Sequence, residues 1–77
     1  MAQITYAVLP VEGGWLVQKQ PGDLTLSFVA GSMAEATARR LAQDSWAHGV
    51  PAEVSIKGRD GSLLGKWRYG TEAAVAP

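Results

Sequence analysis

A cluster of basic side chains near the end of the chain is the first candidate for chemistry. Residues 57–70, KGRDGSLLGKWRYG, contain four cations against one acid, Asp60. The cations are Lys57, Arg59, Lys66 and Arg68. With Tyr69 beside them, they could contact phosphate groups or an acidic partner. Charged residues also keep an exposed hairpin soluble and unpaired, so both interpretations stay open at this point.

Residue patterns for catalysis or metal binding do not accompany this cluster. The chain has no cysteine and one histidine, His48, which excludes disulfides, thiolate metal sites and His-rich metal sites. Its seven carboxylates fall mostly at turns, caps and polar faces, and no nucleophile elbow surrounds a serine. The sequence GRDG links two strands and lacks the Lys-Ser/Thr ending of a phosphate loop. We therefore expect a protein that is not an enzyme, without cofactor, metal or small-molecule substrate.

Size and charge limit the partners further. Seventy-seven residues, 47% of them apolar, are expected to form one domain over residues 1–70, followed by a flexible tail over 71–77. Seven basic and seven acidic residues cancel, which argues against strong, salt-driven binding of nucleic acid by the whole chain. The N-terminus does not have the pattern of a signal peptide, and no apolar run approaches the roughly 20 residues of a membrane span. These features predict a cytoplasmic protein with no membrane partner.

Alternating apolar residues predict three strands before the single helix. The strands are expected over residues 3–9, 15–19 and 24–29, with turns at PVEGG and QPGD. A turn at QPGD would place Val17 opposite Leu26. A Pro-Gly type II turn twists against a tight hairpin, however, so a loop wider than two residues is a second possibility.

The helix has the clearest start and stop signals. Ser32 as N-cap with Glu35 three residues on forms a capping box, and Gly49 suits the C-terminal cap. A thin apolar stripe containing Ala34, Leu41 and the neighbouring small residues would let the helix lie close to a sheet. Arg39, by contrast, is expected to face water. Trp46, late in the helix, has two possible roles, closing the rim of the core or joining an interface.

A final hairpin is predicted from residues 52–57 and 62–69 around the Asp60-Gly61 pair. A two-residue turn there would place Glu53 opposite Arg68 and Val54 opposite Trp67. Trp67 would then be buried against the helix. The fold class that follows is α+β, with an antiparallel sheet built of a hairpin or meander and a C-terminal hairpin, and one helix packed on one face.

The order of these motifs resembles a family of small bacterial domains of unknown function, DUF2188. Its pattern is a strand, a Gly-Gly-Trp turn, an alanine-rich helix and a terminal hairpin centred on Arg-Asp-Gly, and the resemblance covers most of residues 6–70. The matching positions are Gly13, Gly14, Trp15, Ala36, Leu41, Ala42, Gly58, Arg59, Asp60, Gly61, Tyr69 and Gly70. The segment at 44–53 is longer than in the family, and Lys57 stands where the family usually has histidine. The family has no known catalytic residues to carry over.

A single helix can cover only one face of the predicted sheet, so the other face is a candidate contact surface. The residues expected to form a dimer face are Leu9, Leu16, Val29 and Leu64. A small domain with such a face is predicted to be an interaction module that self-associates as a homodimer. The alternative is an accessory domain that binds nucleic acid through the basic C-terminal hairpin.

Overall fold

The alternating segments of the sequence form five strands, and one helix lies across them. The computed structural model describes residues 3–70, so the predicted tail at 71–77 lies outside the described residues. The elements, in chain order, are β1 (Ile4–Val11), β2 (Gly14–Gln20), β3 (Thr25–Phe28), α1 (Gly31–Ala47), β4 (Ala52–Lys57) and β5 (Leu63–Tyr69).

The strands form one sheet in the order β3-β2-β1-β4-β5. All neighbours are antiparallel except β1 and β4, which pair in parallel at the centre. The α+β class is therefore confirmed, but the expectation of a wholly antiparallel sheet is corrected at this pair. A parallel pair needs a long crossover connection, and the segment from β2 through α1 supplies it.

Small side chains form the contact between helix and sheet. Ala34, Ala38 and Ala42 follow one another at every fourth position, and all three are fully buried. Beneath them, Val8 and Val54 belong to the parallel pair, and they are among the largest side chains that are fully buried. The alanine stripe allows close approach, but it also limits the volume of the core.

The helix begins two residues earlier than its capping signal suggests. Ala30, in an extended conformation, precedes the first turn, and no side chain caps it by a hydrogen bond. The predicted capping box at Ser32 is therefore wrong. Gly31 instead allows the ring of Trp15 to pack on the helix start, because a Cβ at Gly31 would lie 2.8 Å from Cε2 of that ring. The other end is as predicted, with Gly49 at a φ of +88° after the last turn.

The β2–β3 hairpin has the predicted register and the wider of the two loops. Val17 pairs with Leu26. The amide of Lys19 donates to the carbonyl of Leu24 at 3.0 Å, so the loop between them spans residues 20–23.

The β4–β5 hairpin also has the predicted register, although its turn is different. Glu53 pairs with Arg68, as expected. The turn, however, is closed by a bond from the Gly58 amide to the Ser62 carbonyl, which leaves a three-residue loop. An irregularity beside Lys57 takes up the extra residue and restores the register further along. As a result Leu63 pairs with Lys57.

The loop conformation makes a specific prediction for Gly61. Its φ is +86°, which a β-branched residue resists, so Gly61→Val is expected to cost about 1–2 kcal/mol. Arg59 is exposed in the same loop, and Arg59→Ala should change stability by less than about 0.5 kcal/mol. Thermal unfolding followed by circular dichroism should place the valine variant roughly 4–8 °C or more below the alanine variant. Equal melting temperatures would contradict the observed loop.

Candidate functional site

Two of the four predicted basic contacts already have an acidic partner within the domain. Glu53 on β4 lies between Lys66 and Arg68 on β5. Its carboxylate is 3.6 Å from Nζ of Lys66 and accepts a hydrogen bond of 3.2 Å from Nε of Arg68. Only 13% of the Glu53 side chain is exposed, and Nε2 of Gln3 donates to it at 3.4 Å. The local positive charge is therefore lower than the count over residues 57–70 indicates.

Lys57 and Arg59 are the other two predicted contacts. Lys57 ends β4 and is half-buried, whereas Arg59 is exposed in the loop that follows. Neither has a carboxylate oxygen within 4 Å among residues 3–70. The four cations thus divide into a pair on the strand that shares one carboxylate, with a net charge of +1 for the three residues, and two without an ion pair near the turn.

The acid in the loop has a structural role. Oδ1 of Asp60 accepts hydrogen bonds from the hydroxyl of Ser62 at 2.6 Å and from its amide at 3.0 Å. These bonds favour the ionised carboxylate and lower the pKa of Asp60 below its usual value. The loop at the centre of the basic segment is therefore held by its own side chains.

Trp67 lies on the side of the sheet that the helix covers, opposite the side of Lys66 and Arg68. It pairs with Val54, as predicted, but it is half-buried and not fully enclosed. The guanidinium of Arg39 covers part of its ring, with Cζ 4.9 Å from the ring centroid. The expectation that Arg39 faces water is corrected here.

The Arg39 contact could not be found from helix periodicity alone. Arg39 is followed by Arg40, and only the crossing of the helix over β5 determines which of the two meets the ring. A partial signal exists in the four-residue spacing to Glu35, whose Oε2 is 3.9 Å from Nη1 of Arg39.

Aromatic residues are concentrated on the covered side of the sheet. By strand register, the ring-bearing residues there are Tyr6, Trp15, Phe28, Trp67 and Tyr69. Among residues 3–70, the uncovered side has none. A sheet that binds single-stranded RNA or DNA usually stacks bases on exposed aromatic rings, so this surface lacks a base-stacking platform in the described part of the chain.

The predicted dimer face is divided among three places. Leu9 and Leu16 pair with each other on the uncovered side, and both are half-buried. Val29 follows the end of β3, at one edge of the sheet, and Leu64 lies at the irregular start of β5, at the opposite edge. The four residues therefore do not form one continuous patch.

A second apolar surface lies at the β3 edge, and of its residues only Val29 was predicted as a contact. An open depression of about 460 Å³ is lined mostly by Phe28, Val29, Ala30 and Met33. Val29 and Met33 are exposed. The sequence contains only a weak signal for this surface, an apolar residue on each side of the helix start, and periodicity gives no indication that both are exposed.

Trp46 is exposed near the C-terminal end of the helix. Its ring packs against Gly70, where a Cβ would lie 3.0 Å from Cε3. It is not among the partly buried residues that pack on the core cluster, so its two predicted roles, at the rim of the core and in an interface, both stay predictions.

The described residues contain no group of three or more side chains that could hold a metal ion. Over the same part of the chain, no helix is long and apolar enough to cross a membrane.

One alanine-faced helix on a five-stranded mixed sheet defines a small α+β domain. The chain belongs to DUF2188, a family of uncharacterised proteins conserved in bacteria, whose family model matches residues 6–69. Comparisons with curated proteins and with solved structures gave no match.

Proposed function

We propose that this protein is a small non-enzymatic interaction module that works as a homodimer. The observation that carries the proposal is the imbalance between a core of small side chains and a surface with large apolar ones. Inside, the largest fully buried side chains are valines. Outside, Val29 is 90% exposed, Leu64 is 66% exposed and Met33 is 61% exposed.

This imbalance favours association for an energetic reason. A domain of this length buries only about 60% of the surface of its unfolded chain, so its stability is small. Covering exposed apolar side chains with a second copy adds burial without lengthening the chain. Binding that is restricted to the folded state stabilises that state by mass action.

The alternative of nucleic-acid binding through the C-terminal hairpin has weaker support. Glu53 lies against Lys66 and Arg68, and Trp67 is on the other side of the sheet. Lys57 and Arg59 remain as candidate phosphate contacts. Two such contacts would give a slope of about 1.8 in a plot of log affinity against log salt concentration. A mobility shift at low salt that weakens with this slope would favour the alternative.

The proposal predicts a dimer at micromolar concentration. Size-exclusion chromatography with light scattering should give twice the monomer mass at about 100 μM, because a weaker interface would scarcely stabilise the fold. The melting temperature should also rise with protein concentration. A monomer mass at about 100 μM, with a melting temperature independent of concentration, would contradict the proposal.

A further inference from the structure

The two edges of the sheet differ in their suitability for pairing with another strand. The β5 edge carries Lys66 and Arg68, and an irregularity at its start interrupts the ladder. Two β5 strands related by a two-fold axis would bring these cations close to their own copies. Like charges and bulges of this kind oppose pairing between edges.

The β3 edge has neither of these features. Its residues are Thr25, Leu26, Ser27 and Phe28, none of them charged, and they pair regularly with β2. The Lys19 amide donates to the Leu24 carbonyl, so the backbone groups of Leu24 point towards β2. The direction of these groups alternates from one residue to the next along a strand, and those of Thr25 and Ser27 therefore point away from β2. Within residues 3–70, no other strand pairs with this side of β3.

Apolar side chains stand at both ends of the same edge. Leu24, just before β3, is exposed, and Val29 follows its last residue. Val29 and Met33 also line the open depression beside Phe28. An uncharged edge with exposed apolar residues at its ends suits a partner strand that is itself uncharged. A second copy of β3 meets that requirement.

We infer that two copies of this chain pair through their β3 edges, in antiparallel orientation, about a two-fold axis at Ser27. The inference rests on the proposed function, since it names the surface of that homodimer. The two sheets become one ten-stranded sheet with both helices on the same side. Thr25 of each copy lies opposite Val29 of the other.

Face matching and charge select this register. Residues directly opposite each other in an antiparallel ladder have side chains on the same face of the sheet. Two copies related by the axis meet this condition only if one residue lies opposite its own copy, so the axis must pass through a residue and not between two. An axis at Leu26 would place Val29 opposite Asp23 of the second copy. An axis at Ser27 pairs residues 25–29 throughout and leaves Asp23 outside the ladder.

The first test is a charge at the centre of the proposed interface. Ser27 is exposed, so Ser27→Lys should leave the isolated domain folded, as circular dichroism would verify. In the dimer, two ammonium groups would face each other at the axis, and dimer dissociation should become at least ten-fold more favourable. Gln43→Lys is the matched control, because it adds the same charge at an exposed position of α1, outside the proposed interface, and should leave the dimer intact.

The second test uses the absence of cysteine from the chain. A single introduced thiol at Ser27 (Ser27→Cys) should form a covalent dimer in high yield under mild oxidation or with a short bis-maleimide. Lys66→Cys, on β5, should stay largely monomeric under the same conditions. Because crosslinking does not require the lysine variant to fold, it is an independent measure of the interface.

The two tests together distinguish a failure of the proposed β3 interface from a failure of the proposed homodimer. A wild-type chain that is monomeric would overturn both the homodimer and this surface. A dimeric wild type that remains dimeric as Ser27→Lys, and that crosslinks no better at Ser27→Cys than at Lys66→Cys, would overturn the β3 interface while leaving self-association standing. Loss of the dimer in Ser27→Lys but not in Gln43→Lys, with crosslinking at Ser27→Cys, is the result expected.

Discussion

Replacing Gly14 with alanine is expected to destabilise the fold by about 3 kcal/mol, at the upper end of the usual range for overpacking. A Cβ at this position would overlap the backbone carbonyl oxygen of Phe28 on the neighbouring strand. A flexible side chain could move away from such a contact, but a backbone carbonyl within a ladder cannot move without separating β2 from β3. Since small domains are stabilised by as little as about 5 kcal/mol, most of the folding free energy would be lost.

The adjacent glycine is the control for this prediction. Gly13 has a φ of +83°, and no atom lies within 4 Å of a Cβ added there. Asparagine tolerates this backbone region, so Gly13→Asn should cost about 1 kcal/mol or less. Urea unfolding of the two variants would test the difference. Equal loss in both would mean that the strand contact at Gly14 can relax.

Replacing Trp67 with alanine is the second change with a large expected effect. Truncation of a buried tryptophan costs about 3–5 kcal/mol, and the half-buried position of Trp67 favours about 3 kcal/mol. The change removes the packing of Trp67 on Val54 and leaves the guanidinium of Arg39 without its ring. The midpoint of denaturant unfolding should therefore move to a clearly lower denaturant concentration.

The double variant Lys66→Ala/Arg68→Ala separates the two sides of β5. It removes both cations from Glu53, whose side chain is only 13% exposed, so the two lost ion pairs are expected to cost about 2 kcal/mol together. Its loss of stability should be clearly smaller than that of Trp67→Ala. If the double variant were the less stable protein, the assignment of Trp67 to the core side would be wrong.

The family motif Gly-Gly-Trp has a structural explanation in this chain. Gly13 supplies the positive φ of the β1–β2 turn, and Gly14 allows the close approach to Phe28. Trp15 packs its ring on the start of the helix at Gly31. Each position therefore supports the joining of β2, β3 and α1.

The sequence predicted elements whose signals are local. Period-two alternation located the strands, and Gly49 marked the end of the helix. The two hairpin registers, Val17 with Leu26 and Val54 with Trp67, also follow from short-range patterns. The register of the last hairpin was correct despite a wrong turn, because the extra loop residue and the irregularity beside Lys57 compensate for each other.

The prediction of the candidate contact surfaces was less complete. Lys66 and Arg68 were counted in the basic cluster, but the carboxylate that they share, Glu53, was not included in the local charge. Its effect depends on a cross-strand contact that brings both cations to one carboxylate. The β3 edge was missed because edge position is a property of strand order, which local patterns do not contain.

By itself, the sequence determined that this chain forms strands, one helix that ends at a glycine, and two hairpins with defined faces. These features follow from hydrophobic periodicity, turn residues and helix capping, which act over a few residues. Only the tertiary structure decided that β1 and β4 pair in parallel and that β3 and β5 become the edges. It also decided that Arg39, and not Arg40, covers Trp67. These features depend on how the alanine stripe of the helix packs across strands that are far apart in the sequence. The free energy of that packing comes from contacts throughout the domain, so no short segment of the sequence contains it.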